Sequence, residues 1–237
     1  MIRTERPKAI MTDPGPPSDV RMRIAVWDLP TRLFHWTLVG LIALCWWTAE
    51  EHNYDLHLWS GIAVLTLLIF RILWGLFGSS TARFADFVRG PAAVHAYLGG
   101  RWRGIGHSPL GALSVVVLMG LVAVEVGLGL FATDEDGLLL GPLSGFVSIS
   151  ASNEIAEVHE EFFDVLLVFI GLHVAAVLFY LIARKQNLIG PMVTGKAKLD
   201  PDTQPMRPGK WWVAILCLVA AIAFTRWIIA GAPPFDP

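Results

Sequence analysis

The chain has 237 residues, 54% of them hydrophobic and only 16% charged, with a net charge of −2. A soluble domain carries about a quarter charged residues, and a mean hydropathy of +0.57 points to the membrane before any segment is read. The 2 cysteines, Cys45 and Cys217, lie inside apolar runs with no CxxC or CxxCH. That excludes a disulfide framework, a cysteine zinc site and covalent c-type haem attachment.

Residues 1–23 are polar and Pro-rich with no apolar h-region, so they read as a disordered tail and not as a signal peptide. A bilayer core needs about 20 apolar residues in a helix. Five stretches qualify: 33–49 ("LFHWTLVGLIALCWWTA"), 57–77, 109–131, 158–183 and 211–230. Between the second and third, "FADFVRGPAAVHAYLGG" has apolar residues near helical spacing and reads as a segment lying on the membrane surface. It carries His95, expected to be a surface histidine. The expected fold is an all-α integral membrane protein. A four-helix transmembrane bundle occupies residues 24–185, a linker residues 186–210, and a fifth transmembrane helix with an outer tail residues 211–237.

Orientation follows the basic residues. Sixteen of the 18 lie before the first span (Arg3, Arg6, Lys8, Arg21, Arg23, Arg32), between spans two and three (Arg83, Arg89, Arg101, Arg103), or between spans four and five (Arg184, Lys185, Lys196, Lys198, Arg207, Lys210). The opposite loops hold none of them and carry Glu50, Glu51, Asp55, Asp134, Glu135, Asp136, Glu154 and Glu157. The N-terminus is therefore expected in the cytoplasm, with the acidic loops facing the periplasm or exterior.

The fourth span carries His159 and His173, fourteen residues apart. At about 100° per residue the two share a face, and they stand roughly 21 Å apart along the axis. His57 opens the second span at the depth of His159. His35, near the inner end of the first, lies at the depth of His173. Four histidines thus form two pairs at two depths on three helices. Haem iron accepts two axial imidazoles, and bundle cores build such sites from facing helices. Metal ions without a porphyrin usually recruit carboxylates or cysteines as well, and no HxxxH or HExxH spacing occurs. Two non-covalent bis-histidine haems b are expected.

Arg71 lies fourteen residues after His57 and so shares its face. With Arg32 it is a candidate counter-charge for haem propionates, the alternative being a side chain that snorkels to the inner surface. Gly40, Gly61, Gly120 and Gly171 leave room for a flat macrocycle or for close approach of a neighbouring helix. Glu125 and Asp164, in the outer halves of spans three and four, read either as a proton path to a quinone site or as polar residues near the interface.

The stretches "VWDLPTRLFHW", "HLWSGIAVLTLLIFRILWG" and "GHSPLGAL", with the fourteen-residue histidine spacing, resemble bacterial cytochrome b561. The resemblance is greatest to the branch containing the b-type cytochrome subunits of nickel–iron hydrogenases. It implies a four-helix di-haem core with His35, His57, His159 and His173 as ligands, and a propionate or quinone contact from His107 and Ser108 in "GHSPLG". It also implies electron transfer between a periplasmic redox partner, such as a hydrogenase or cytochrome c, and the quinone pool. The first outer loop is shorter than in hydrogenase subunits, so another periplasmic dehydrogenase could be the donor. The alternative activity is a self-contained oxidoreductase acting on a small molecule such as superoxide, which the acidic outer loops would repel. No nucleic-acid partner is expected.

Overall fold

The computed structural model describes residues 21–102, 104–133 and 140–233. The basic residues Arg3, Arg6, Lys8 and Arg103, the acidic residues Asp134, Glu135 and Asp136, and most of the expected N-terminal tail lie outside the described residues. The element order is β1 (Met22–Ala25), α1 (Leu29–Glu50), α2 (Tyr54–Phe77), α3 (Phe84–Phe87), α4 (Pro91–Leu98), α5 (Pro109–Phe131), α6 (Ile149–Ile182), α7 (Ile189–Thr194), β2 (Lys196–Leu199) and α8 (Trp211–Ile229). Helices α1, α2, α5, α6 and α8 are each long and apolar enough to cross a membrane. The fold is the expected all-α membrane bundle, and the protein is multi-pass.

Helices α1, α2 and α6 start earlier than their apolar runs, because capped polar residues extend them. Helix α1 begins at Leu29, where Asp28 Oδ1 accepts a hydrogen bond from Thr31 N at 2.8 Å and Pro30 occupies the first turn. Proline is tolerated there, since that N–H would have no helical partner. Helix α6 begins at Ile149, where Ser148 Oγ accepts from Ala151 N at 3.2 Å. Its polar first turns are not visible to a search for apolar windows.

Helix α1 packs on α2 and α5 on α6, while α2 joins the two pairs through α5 and takes α8 on another side. Helix α1 scarcely touches α5 or α6. Halfway along the bundle, Val64, Val122 and Leu166 are buried together, with Ile42 of α1 and Phe163 of α6 packed against them. Leu166 lies seven residues from each of His159 and His173. An apolar layer therefore separates the two histidine depths.

A second cluster, Phe34, Phe70, Trp74, Ala82, Cys217 and Ala221, closes the end of the bundle rich in basic residues. Through Cys217 and Ala221 it anchors α8 to α2. Farther along the same helix face, Thr66 Oγ1 donates to Thr225 Oγ1 at 3.1 Å. At this basic end, β1 pairs antiparallel with β2, Met22 opposite Leu199 and Ala25 opposite Lys196. The sequence reading placed the first two residues of β1 in a tail and all of β2 in a linker, whereas the chain joins the two. Because β1 precedes α1 and β2 follows α6, the pairing requires an even number of crossings between them.

The turn after α7 locks this cap. Gly195 adopts φ 80°, and its carbonyl accepts from Val26 N and Trp27 N. A Cβ there would stand 2.8 Å from the Trp27 carbonyl oxygen, so only glycine fits. Arg32 Nη1 and Trp36 Nε1 donate to the carbonyls of Val193 and Met192 at 2.5 and 3.2 Å, satisfying the end of α7. Thr81 Oγ1 donates to the Val26 carbonyl at 2.8 Å. Between α2 and α5, α4 is tied to α6 by a hydrogen bond between the Tyr97 and Tyr180 hydroxyls.

Candidate functional site: two histidine pairs

At the acidic end, His57 of α2 and His159 of α6 face each other with ring centroids 6.1 Å apart and planes at 80°. Each is half-buried. His57 Nδ1 lies 2.9 Å from the Cys45 carbonyl oxygen on α1, and His159 Nδ1 lies 3.0 Å from the Glu125 carbonyl oxygen on α5. A carbonyl can only accept, so Nδ1 carries a proton on both rings, and in the neutral imidazole Nε2 is then the atom left to bind a metal. Metal-binding histidines are oriented in this way. With metal–nitrogen bonds of about 2 Å, two trans imidazoles stand about 6 Å apart centre to centre. The separation is one at which His57 and His159 would hold a single metal between them.

The sequence explains why these backbone carbonyls point at the rings. Cys45 and Ser60, which bond to each other at 3.1 Å, are small and let α1 and α2 approach. Gly129 lies beside His159, and a Cβ there would come within 3.2 Å of its Cε1. Gly61, one turn from His57 on the same face, is not exposed, yet a Cβ on it would meet nothing within 4 Å. That is space a flat ring could fill. A Cβ on Gly40, Gly120 or Gly171 also meets nothing, but these three are exposed. None of the four glycines serves close helix approach.

At the basic end, His35 of α1 and His173 of α6 lie within electrostatic reach of each other and are half-buried. His35 Nδ1 is buried without a hydrogen-bond partner among the described residues. An orphaned buried imidazole nitrogen on helices that scarcely touch fits a pair whose filling is a prosthetic group.

His107 joins this level. It lies between Trp27 and Phe87, each with its ring centroid 4.6 Å away, and its Nδ1 is buried and unpartnered. Burial first, then the charge of Arg71 and the proximity of His173 and His35, pushes it down to about 3. It is neutral at physiological pH. Gly106, at φ 77°, makes the turn that delivers it. Ser108 caps α5, its Oγ accepting from Gly111 N at 3.1 Å.

Arg71 neither snorkels nor lies open. It is 2% exposed, with its guanidinium carbon 4.9 Å from the Phe84 ring and about as near Phe34 and Phe87 as a cation–π contact allows. Its Nη1 donates to the Ala82 carbonyl at 3.1 Å. Arg32 is committed to Val193 and Asp28. His95 is exposed on α4, as expected of a surface histidine. Asp164 belongs to an exposed acidic group with Glu157, Glu160 and Glu161. Glu125 lies beside His159, which the sequence reading missed; the available signal was its shared depth with the acidic-end pair.

A family model described as prokaryotic cytochrome b561 matches residues 26–195. That span contains both histidine pairs and stops short of α8. No curated protein and no solved structure matches the chain.

Proposed function

Because the chain belongs to the prokaryotic cytochrome b561 family, we propose that it is a di-haem subunit carrying electrons across the bilayer between a periplasmic redox protein and the quinone pool. Family membership makes it a membrane b-type cytochrome of electron transfer. Bound haem supplies a one-electron Fe(III)/Fe(II) couple.

The observation that carries the reading is the acidic-end pair, two imidazoles 6.1 Å apart with both Nδ1 atoms held by backbone carbonyls. His57 and His159 would hold one haem, and His35 and His173 the other. The layer of Val64, Val122 and Leu166 excludes water between the levels. In this reading His107, with Arg71 beyond Phe87, would meet the acidic edge of the group at the basic end, or a quinone head there. In the proposed orientation the basic end is cytoplasmic, in a bacterial inner membrane. The acidic end then faces a cationic partner, a hydrogenase-like protein or a cytochrome c, and disfavours superoxide.

The test is stoichiometry followed by mutation. A pyridine haemochrome assay should give two haems b per chain. In redox titrations, His57→Ala and His159→Ala should delete the same component, and His35→Ala and His173→Ala the other. Loss of one component from both His57→Ala and His173→Ala would break the pairing.

A further inference from the structure

Glu125 is a carboxylate well inside a membrane-spanning helix, where an acidic side chain is costly and usually functional. Its Oε1 lies 3.3 Å from His159 Nδ1, while its own backbone carbonyl stands 3.0 Å from the same nitrogen. One N–H therefore faces two oxygens of a single residue. The second carboxylate oxygen, Oε2, is buried with no hydrogen-bond partner among the described residues. A buried oxygen without a partner costs free energy, so packing alone does not account for this residue. Gly129, one turn farther along α5, lies against the His159 ring. Helix α5 contributes no histidine to the pairs, yet it builds the cradle for one of them. His57 differs, since its Nδ1 meets the Cys45 carbonyl. Both imidazoles of the pair meet a backbone carbonyl, but only His159 also faces a carboxylate.

We propose that Glu125 is a positioning residue for the acidic-end haem: it fixes the orientation and tautomer of His159 and lowers the midpoint potential of that site. The inference rests on the di-haem reading above. A carboxylate against Nδ1–H draws on the proton and makes Nε2 a stronger donor. A stronger donor favours the ferric state, which carries one more positive charge, and so does any negative charge that the carboxylate carries. The two effects act in the same direction.

The experiment uses full-length protein in nanodiscs, with Glu125→Gln and Glu125→Asp. The readouts are haem content, redox titration and low-temperature electron paramagnetic resonance. Glu125→Gln keeps the shape and replaces the carboxylate by an amide. It should retain two haems and shift upward the potential of the component that His159→Ala deletes, with a change in the resonance of that haem only. Glu125→Asp should recover part of the shift. Unchanged potentials in a di-haem Glu125→Gln protein would overturn the inference alone, as would a shift confined to the component that His173→Ala deletes. Should Glu125→Gln lose a haem, retention of it in Glu125→Asp would support the carboxylate's role, and equal loss in both would reduce Glu125 to packing. A wild-type protein without haem would overturn the di-haem reading and this inference together.

Discussion

Asp28 shows how one side chain can set both a helix start and a tertiary contact. Oδ1 caps α1 through Thr31 N, and Oδ2 accepts from Trp74 Nε1 at 3.0 Å. Trp74 is 1% exposed, so its N–H has no water to turn to. Loss of a cap costs about 1 kcal/mol, and an orphaned buried donor about 1–3 kcal/mol. Asp28→Ala should therefore destabilise the protein by about 3 kcal/mol, and Asp28→Asn, which keeps an acceptor, by less. Denaturant titration in detergent would measure the order; equal losses would mean that the one acceptor oxygen asparagine keeps contributes nothing. His107 gives a pH-dependent counterpart. The unfolded chain takes up its proton near the ordinary 6.5, but the folded protein resists until about 3. Between those values the unfolded state binds more protons, so stability falls as pH falls. At pH 5 the loss is about 2 kcal/mol. The drop in melting temperature from pH 7.5 to 5.0 should be larger in the wild type than in His107→Phe, and identical drops would remove His107 from the account.

At the scale of elements, α8 lies outside the residues the family model covers, yet Cys217, Ala221 and Thr225 are buried against α2. Neither histidine pair draws on it. A chain ending at Lys210 should retain both haems and their potentials but melt lower, because Phe70 and Trp74 lose their cover. Loss of one redox component on truncation would give α8 a part in a site. The elements legible in the sequence were those written in one dimension. Apolar runs gave the five spans, and the interval between His159 and His173 gave two depths. The strands β1 and β2 were not legible. Each has four residues, and they pair across the whole four-helix core, so no local period announces them. The same holds for Glu125 against His159 and for Arg71 among Phe34, Phe84 and Phe87. Their depths could be counted along a helix, but which neighbour they meet depends on how α5 and α3 rotate and dock.

For the whole molecule, charge and length combine at one end. Helix α6 has 34 residues and is about 51 Å long, against a hydrocarbon core of about 30 Å. Its first turns must stand clear of the lipid or lie among the headgroups. Glu154, Glu157, Glu160 and Glu161 are exposed there, and Glu154, Glu157, Glu161 and Asp164 recur at helical spacing along one face. His159 points the other way, toward His57. A cationic redox protein drawn to the stripe would arrive within a helix diameter of the acidic-end pair. Such steering raises association rates by about 10-fold or more at low ionic strength and fades as the Debye length shrinks to about 10 Å at 0.1 M salt. Stopped-flow reduction of the protein by a small basic cytochrome should therefore slow steeply with added salt. Glu157→Gln/Glu161→Gln should slow it at low salt and leave the rate at high salt unchanged, since the uncharged variant keeps the docking shape. An acidic donor of similar size should show the opposite salt dependence. If the basic donor's rate ignored both salt and the double variant, the stripe would have no part in bringing a partner to this end.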